Sequence, residues 1–206
     1  MNELDFSGKT VLVVGGSSGI GNGIAQSFRQ RGAEVHVWGT RPNAESYGDS
    51  ADSHLEGLHY AQVDVSDADL IEATVVPFTR LDVLIQAQGT VLYDRQEFLT
   101  DGFKKVLDIN LTSLMVCAQK FFELLKESRG TMITVSSAAA FHSTRGNPAY
   151  NASKTGAFGL TRTLGEAWAR DGIRVNGIAP GLVETKLTRV TTETPNASKV
   201  RYVQFH

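Results

Sequence analysis

The chain has a single cysteine, Cys117, in 206 residues, which excludes an internal disulfide framework and fits a reducing compartment. It also lacks an excess of either charge: 20 Lys and Arg stand against 22 Asp and Glu, a formal net charge of −2. That balance gives no electrostatic footing for nucleic acid or an anionic membrane as a partner. No apolar run approaches the roughly 18 residues of a bilayer span. The opening Met1-Asn2-Glu3-Leu4-Asp5 is acidic where a secretory leader would be basic and then apolar. The Asn-x-Ser/Thr triplets at Asn110, Asn151 and Asn196 therefore have no secretory context. Repeats, low-complexity tracts, domain linkers and metal-binding motifs are missing too. With 41% apolar and 20% charged residues the chain has ordinary globular proportions. The expectation is a soluble, cytoplasmic protein.

What is present is alternation. Short β-branched runs at Thr10–Val14, Glu34–Trp38, Leu58–Val65, Leu81–Gln86, Thr131–Val135 and Arg174–Ile178 read as strands. Helical patterns lie between them at Ile20–Arg31, Ala68–Pro77, Phe98–Leu107, Leu111–Glu127 and Ala149–Asp171. Runs such as Val11-Leu12-Val13-Val14 suit parallel strands covered on both faces. The polar stretch Asn43–Ser53, with Gly48, is a weak helix or a loop. This is an α/β pattern: one doubly wound parallel sheet over residues 1–185, then an atypical tail, 186–206, with four Lys/Arg against one acid.

The first strand ends in Gly15-Gly16-Ser17-Ser18-Gly19-Ile20-Gly21, which opens straight into a helix. Gly15 permits a tight turn, and Gly19 and Gly21 let backbone N–H groups approach a pyrophosphate at the positive helix end. Glycines also make ordinary turns; the strand-before, helix-after context favours the nucleotide reading. An NAD site of this kind wants an acid about 20 residues on, for the ribose 2′-hydroxyl. The second strand ends instead in Trp38-Gly39-Thr40-Arg41. Thr40 and Arg41 could meet a 2′-phosphate, which favours NADP(H) over NAD(H); the alternative is that Arg41 begins a solvated loop.

Tyr150 and Lys154 stand at i and i+4, on one helix face. A phenol near pKa 10 is a poor base at neutral pH and needs about 4 kcal/mol of help. A neighbouring ammonium, joined by an oxidised nicotinamide, supplies such help. The glycine turn, Asp64-Val65, Asn110, Ser136-Ser137, Tyr150-x-x-x-Lys154 and Pro180-Gly181 occur in one order, from about Phe6 to Thr185. Together they resemble the short-chain dehydrogenases/reductases. The resemblance implies a Rossmann-type sheet of order 3-2-1-4-5-6 and a nicotinamide dinucleotide as cofactor. It implies an acid–base role for Tyr150, and that Lys154 lowers the Tyr150 pKa and binds ribose hydroxyls. Ser137 would hydrogen-bond the substrate oxygen, and Asn110 would hold a water leading from the lysine. The cofactor would be met by Gly15, Ser17, Ser18, Gly19, Ile20 and Gly21, by Thr40, Arg41, Asp64 and Val65, and by Ala87, Gln88 and Gly89. Pro180, Gly181, Val183 and Thr185 would complete its site. The activity implied is interconversion of a secondary alcohol and a ketone, by a homodimer or a homotetramer.

Three departures from the family qualify that picture. Val14 replaces a threonine, and Gln86-Ala87-Gln88-Gly89 replaces Asn-Asn-Ala-Gly. In the family these two places share a polar contact; losing both partners leaves no group unpaired, but Gln88 is bulky beside the expected ribose. The helical lid and seventh edge strand of similar proteins are not recognisable, so that edge strand is missing or replaced. A competing reading is therefore a truncated, catalytically impaired relative that senses cofactor or pairs with a longer subunit. The β-prone Val200–Phe205 is a candidate substitute for the edge strand. Removing residues 199–206 should then lower the melting temperature or change the oligomeric mass, and no change in either would refute the substitution.

Overall fold

A computed structural model describes residues 4–48, 52–185 and 188. Its parallel strands are β1 (Thr10–Val14), β2 (Glu34–Gly39), β3 (His59–Gln62), β4 (Val83–Gln86), β5 (Thr131–Val135) and β6 (Arg174–Ile178). They form one six-stranded sheet in the order β3-β2-β1-β4-β5-β6, as the family resemblance implied. The winding direction reverses between β1 and β4, which pair in register from Val11↔Val83 to Val14↔Gln86. A crevice opens at the carboxyl ends of strands so arranged.

Both faces of the central strands are covered, which is why β1 carries no polar alternation after Thr10. Val11, Val13, Val35, Val37, Val83 and Ile85 face one side, against Ile24, Ala25 and Phe28 of α1 (Gly19–Arg29). Leu12, Val14, Trp38 and Leu84 face the other. There they meet Ile71 of α2 (Ala68–Ala73), Cys117 and Ala118 of α4 (Ser113–Lys120), Leu125 of α5 (Phe122–Ser128) and Leu164 of α6 (Pro148–Ala167). Phe121 joins α4 to α5, buried beside the Trp38 ring at 5.5 Å. The remaining helix, α3 (Thr100–Leu107), leads towards α4.

Several elements are shorter than their sequence patterns. β3 and β4 cover only the ends and middles of Leu58–Val65 and Leu81–Gln86. α2 stops at Ala73 instead of Pro77, because Thr74 turns extended and its hydroxyl donates back to the Leu70 carbonyl at 2.7 Å. A 3-10 turn, Gln96–Phe98, precedes α3, and another, Ala169–Asp171, follows α6. The pattern over Leu111–Glu127 is not one helix. A π turn at Asp108–Thr112 precedes α4, and Phe121 (φ −98, ψ 5) breaks it from α5. Within Asn43–Ser53 the described part forms a 3-10 turn at Glu45–Tyr47. β6 ends the sheet with Arg174, Asn176, Gly177 and Ile178 exposed. The proposed substitute strand Val200–Phe205 lies outside the described residues, as does the tail from 186 onward apart from Thr188.

At the amino-terminal ends of the central strands β1 and β4, Asp82 ties the sheet together. Its carboxylate accepts from the Thr10 N–H (3.1 Å), Lys9 Nζ (3.0 Å) and Arg80 Nη2 (2.6 Å). Burial by itself raises the Asp82 pKa, but these donors outweigh it and hold it below 3.8. A carboxyl depressed in the folded state stabilises fully above its unfolded pKa, and that contribution is lost as pH falls through the folded value. Asp82→Asn should therefore cost about 1–3 kcal/mol at pH 7. The gap to wild type in urea melts should close as pH drops below about 4; a pH-independent gap would contradict the ionic origin.

Candidate active site

The carboxyl ends of β1, β2 and β4 and the start of α6 surround a cavity of about 460 Å³. Its floor is the turn between β1 and α1. Gly15 and Gly19 have φ of +74° and +55°, in the left-handed region. A Cβ on Gly15 would lie 2.7 Å from the Gln88 Cα, and one on Gly21 only 2.2 Å from the Gly15 carbonyl oxygen. No side chain fits at either place. The α1 amino terminus opening on this turn has no side-chain cap and no acid in its first turn, so its partial positive charge is left for an anion. One turn amide is taken: Gly19 N–H donates to the Asp52 carbonyl at 2.7 Å.

The α6 side of the cavity carries Tyr150 and Lys154, one helical turn apart. Lys154 is 5% exposed, and its Nζ donates to the Val135 carbonyl at 2.9 Å. Burial pushes its pKa down to about 8. Gly89, at the end of β4, keeps the space before this ammonium open: a Cβ there would stand 3.5 Å from Lys154 Nζ. Burial raises the Tyr150 pKa, the Ser137 hydroxyl pulls it down, and Tyr93 and Glu97 push it up. The sum lies above 10. The Lys154 Nζ sits 5.7 Å from the phenol ring centre. The expected lowering by lysine therefore does not dominate, and the phenol is held in its proton-donating form.

Asn110 lies in the π turn, fully buried. Its Oδ1 accepts from the Thr90 N–H at 2.7 Å; its Nδ2 donates to the Thr90 carbonyl at 2.9 Å and to Ser153 Oγ at 3.1 Å. Gln88 does not crowd the cavity as its bulk suggested. Its Nε2 points inward, to Gln86 Oε1 (3.1 Å) and Ser113 Oγ (3.0 Å), and Gln86 Nε2 reaches the Leu114 carbonyl at 3.0 Å. The pair Val14 and Gln86 thus remains register partners with the glutamine satisfied from α4.

Of the residues expected to meet a cofactor, the cavity wall includes Gly15, Ser17, Ser18, Gly19, Ile20, Gly21, Thr40, Val65, Ala87, Gln88, Gly89, Tyr150, Lys154 and Thr185. Arg41, Asp64, Pro180, Gly181 and Val183 are not in it. Arg41 lies 4.6 Å over the Tyr47 ring and bonds the Ser46 carbonyl; Asp64 accepts from Ser66 N–H at 2.9 Å. Sequence reading missed Trp38, Asp52, Tyr93, Ile109 and Ser136, which line the cavity. Asp52 and Tyr93 come from irregular loops that carry no motif. Among the described residues one group has metal-ligand types, Glu34, His36 and His59, at the amino-terminal ends of β2 and β3. There the two rings stack at 4.7 Å and His36 Nε2 bonds Glu34, away from the cavity.

A dinucleotide fits these residues: a glycine cradle that Cβ atoms would fill, an uncapped helix end, and a lysine facing open space. Comparison with known proteins agrees. The short chain dehydrogenase family matches residues 9–196. The chain is 32% identical to 3-oxoacyl-(acyl-carrier-protein) reductase FabG of Chlamydia pneumoniae, across 98% of this chain and 84% of the relative. It is 32% identical to 2-dehydro-3-deoxy-D-gluconate 5-dehydrogenase of Bacillus subtilis, across 91% and 76%. Among solved structures, the Pseudomonas aeruginosa RhlG/NADP complex superposes with a TM-score of 0.83 at 29% identity, covering 96% of this chain and 81% of that one. Among the described residues no helix is long and apolar enough to cross a membrane. Gly21→Ala, whose Cβ would strike the Gly15 carbonyl, should weaken nicotinamide dinucleotide binding about tenfold or more. Fluorescence titration would measure this, with circular dichroism unchanged; wild-type affinity would refute the cradle.

Proposed function

Because the chain belongs to the short chain dehydrogenase family, we propose that it is an NADP(H)-preferring oxidoreductase interconverting a secondary alcohol and a ketone. The observation that carries this reading is the meeting of Tyr150, Lys154 and the glycine turn on one cavity. The cofactor, when bound, supplies or accepts the hydride. Tyr150 gives its phenol proton to the carbonyl oxygen in reduction and, as phenolate, takes it back in oxidation. Ser137, whose hydroxyl lowers the Tyr150 proton affinity, steadies the charge developing on that substrate oxygen. Lys154 would hold the ribose hydroxyls and, together with the charge of an oxidised nicotinamide, would help lower the Tyr150 proton affinity. Asn110 fixes the Thr90 backbone and Ser153 behind the lysine.

The preference for NADP(H) rests on the end of β2. Gly39, Thr40 and Arg41 offer no carboxylate to a 2′-hydroxyl, while Arg41 lies just outside the cavity. Neighbouring structures are described with NADP: RhlG, and a gluconate 5-dehydrogenase homologue from Beutenbergia cavernae, TM-score 0.78 at 30% identity. A homodimer is part of the same reading, supported by half-open apolar side chains on α4 and α6, Met115 and Phe158.

The test is a fluorescence titration with NADPH and with NADH, followed by turnover of a small activated ketone. NADPH should bind more tightly than NADH. Tyr150→Phe should keep that binding and lose about 10²–10⁴-fold in kcat. Binding of neither dinucleotide would overturn the oxidoreductase reading, and a fully active Tyr150→Phe would remove the acid–base assignment.

A further inference from the structure

Glu97 is fully buried, 0% exposed, and lies outside every motif discussed above. Its carboxylate accepts from three N–H donors. Oε1 takes the Leu92 N–H at 3.0 Å and Asn147 Nδ2 at 3.2 Å; Oε2 takes the Tyr150 N–H at 2.9 Å. The first belongs to the loop after β4, the second immediately precedes α6, and the third sits in the first turn of α6. Asn147 Nδ2 closes the ring by also donating to the Leu92 carbonyl at 3.0 Å. One carboxylate therefore ties the loop after β4 to the helix that presents Tyr150.

The chain bends sharply to place it. Asp94 and Arg95 have φ of +54° and +60°, a left-handed pair that is unfavourable outside glycine. The 3-10 turn carrying Glu97 then lies so close to α3 that a Cβ on Gly102 would fall 2.2 Å from the Gln96 carbonyl oxygen. Burying a charge is itself costly. A neutral glutamine cannot do the same work: whichever way its amide turned, an NH₂ would face an N–H donor. A simple helix cap needs no such burial, since Ser, Thr, Asp or Asn at the N-cap serves from the surface. The N-cap here is Asn147, and its side chain makes no capping bond.

We propose that Glu97 is a positioning residue for Tyr150. It fixes the first turn of α6 against the loop after β4, its carboxylate bonded to the Tyr150 N–H on one side and to the Leu92 N–H on the other. This deepens the oxidoreductase reading and rests on it for its catalytic meaning. The groups that act on the phenol are Ser137, Tyr93 and Glu97, with Lys154 Nζ 5.7 Å from the ring. Against burial and Tyr93, which Glu97 reinforces, stands Ser137. A negative charge favours the protonated phenol, so Glu97 keeps Tyr150 poised to donate a proton and extends carbonyl reduction to higher pH. Taking the charge away moves the Tyr150 midpoint down. The alkaline limit of reduction and the acid limit of alcohol oxidation then both shift to lower pH.

The decisive experiment needs neither substrate nor cofactor, so a chain that bound no dinucleotide would leave its result intact. Tyrosinate absorption near 295 nm is read in stopped-flow jumps to alkaline pH, before unfolding. Each protein is compared with its own Tyr150→Phe counterpart, which isolates Tyr150. Glu97→Gln should lower the midpoint. Glu97→Asp, which keeps the charge, should retain most of the elevation. An unchanged midpoint in Glu97→Gln, or an equal fall in both variants, overturns the proposal. If Glu97→Gln does not fold, Glu97→Asp carries the test by hydrogen exchange. The Leu92 and Tyr150 amides should exchange faster while the β1 and β4 amides stay protected. Unchanged exchange at those two amides overturns it equally.

Discussion

The close approach of the β1–α1 turn to the end of β4 is the contact on which the site depends. Gly15 lies against the Gln88 backbone and Gly21 against the Gly15 carbonyl, at distances that exclude a Cβ at either. Because β1 and β4 are register partners at the point where the winding reverses, that packing lays the α1 amino terminus along one wall of the crevice. The opposite wall is α6, held by contact with β6 and with the π turn. A wider turn would separate the anion-binding helix end from Tyr150 and Lys154.

Behind the cavity runs a layer of buried polar groups, unusual in a sheet this apolar. Asn110 bonds Thr90 and Ser153; Ser136 Oγ donates to the Lys154 carbonyl at 2.9 Å; Gln86 and Gln88 are joined to α4. Such groups are costly when unpaired and rigid when paired. Among the described residues Gln88 Oε1 is a buried acceptor without a partner. The two glutamines join β4 and the segment after it to α4.

Electrostatically the site separates two functions on one helix. Burial drives Lys154 towards its neutral form, with a pKa of about 8, and drives Tyr150 towards its protonated form. Each shift comes from removing water, so either is reversed by a charge brought into the cavity. The phenol also feels Glu97 from outside the cavity wall. The proton affinity of Tyr150 is thus set by elements far apart in sequence, the loop after β4, the end of β5 and α6.

The sequence alone determined the strands, the glycine turn and the pairing of Tyr150 with Lys154, because each follows from local periodicity or spacing, while the sheet order followed from the resemblance to a known family. Parallel strands show as apolar runs, and i, i+4 residues share a helix face wherever the helix lies. Helix ends were less legible. Where α2 stops depends on Thr74 turning back, and the break at Phe121 depends on packing against Trp38. Tertiary structure alone decided that Gln88 points inward, that Arg41 rests on Tyr47 outside the cavity, and that Asp52 and Tyr93 line it. Glu97 is the sharpest case. In sequence it is one acid among many in a polar stretch; its burial, and its three donors from segments up to 53 residues away, exist only once β4 and α6 have been brought together by the sheet.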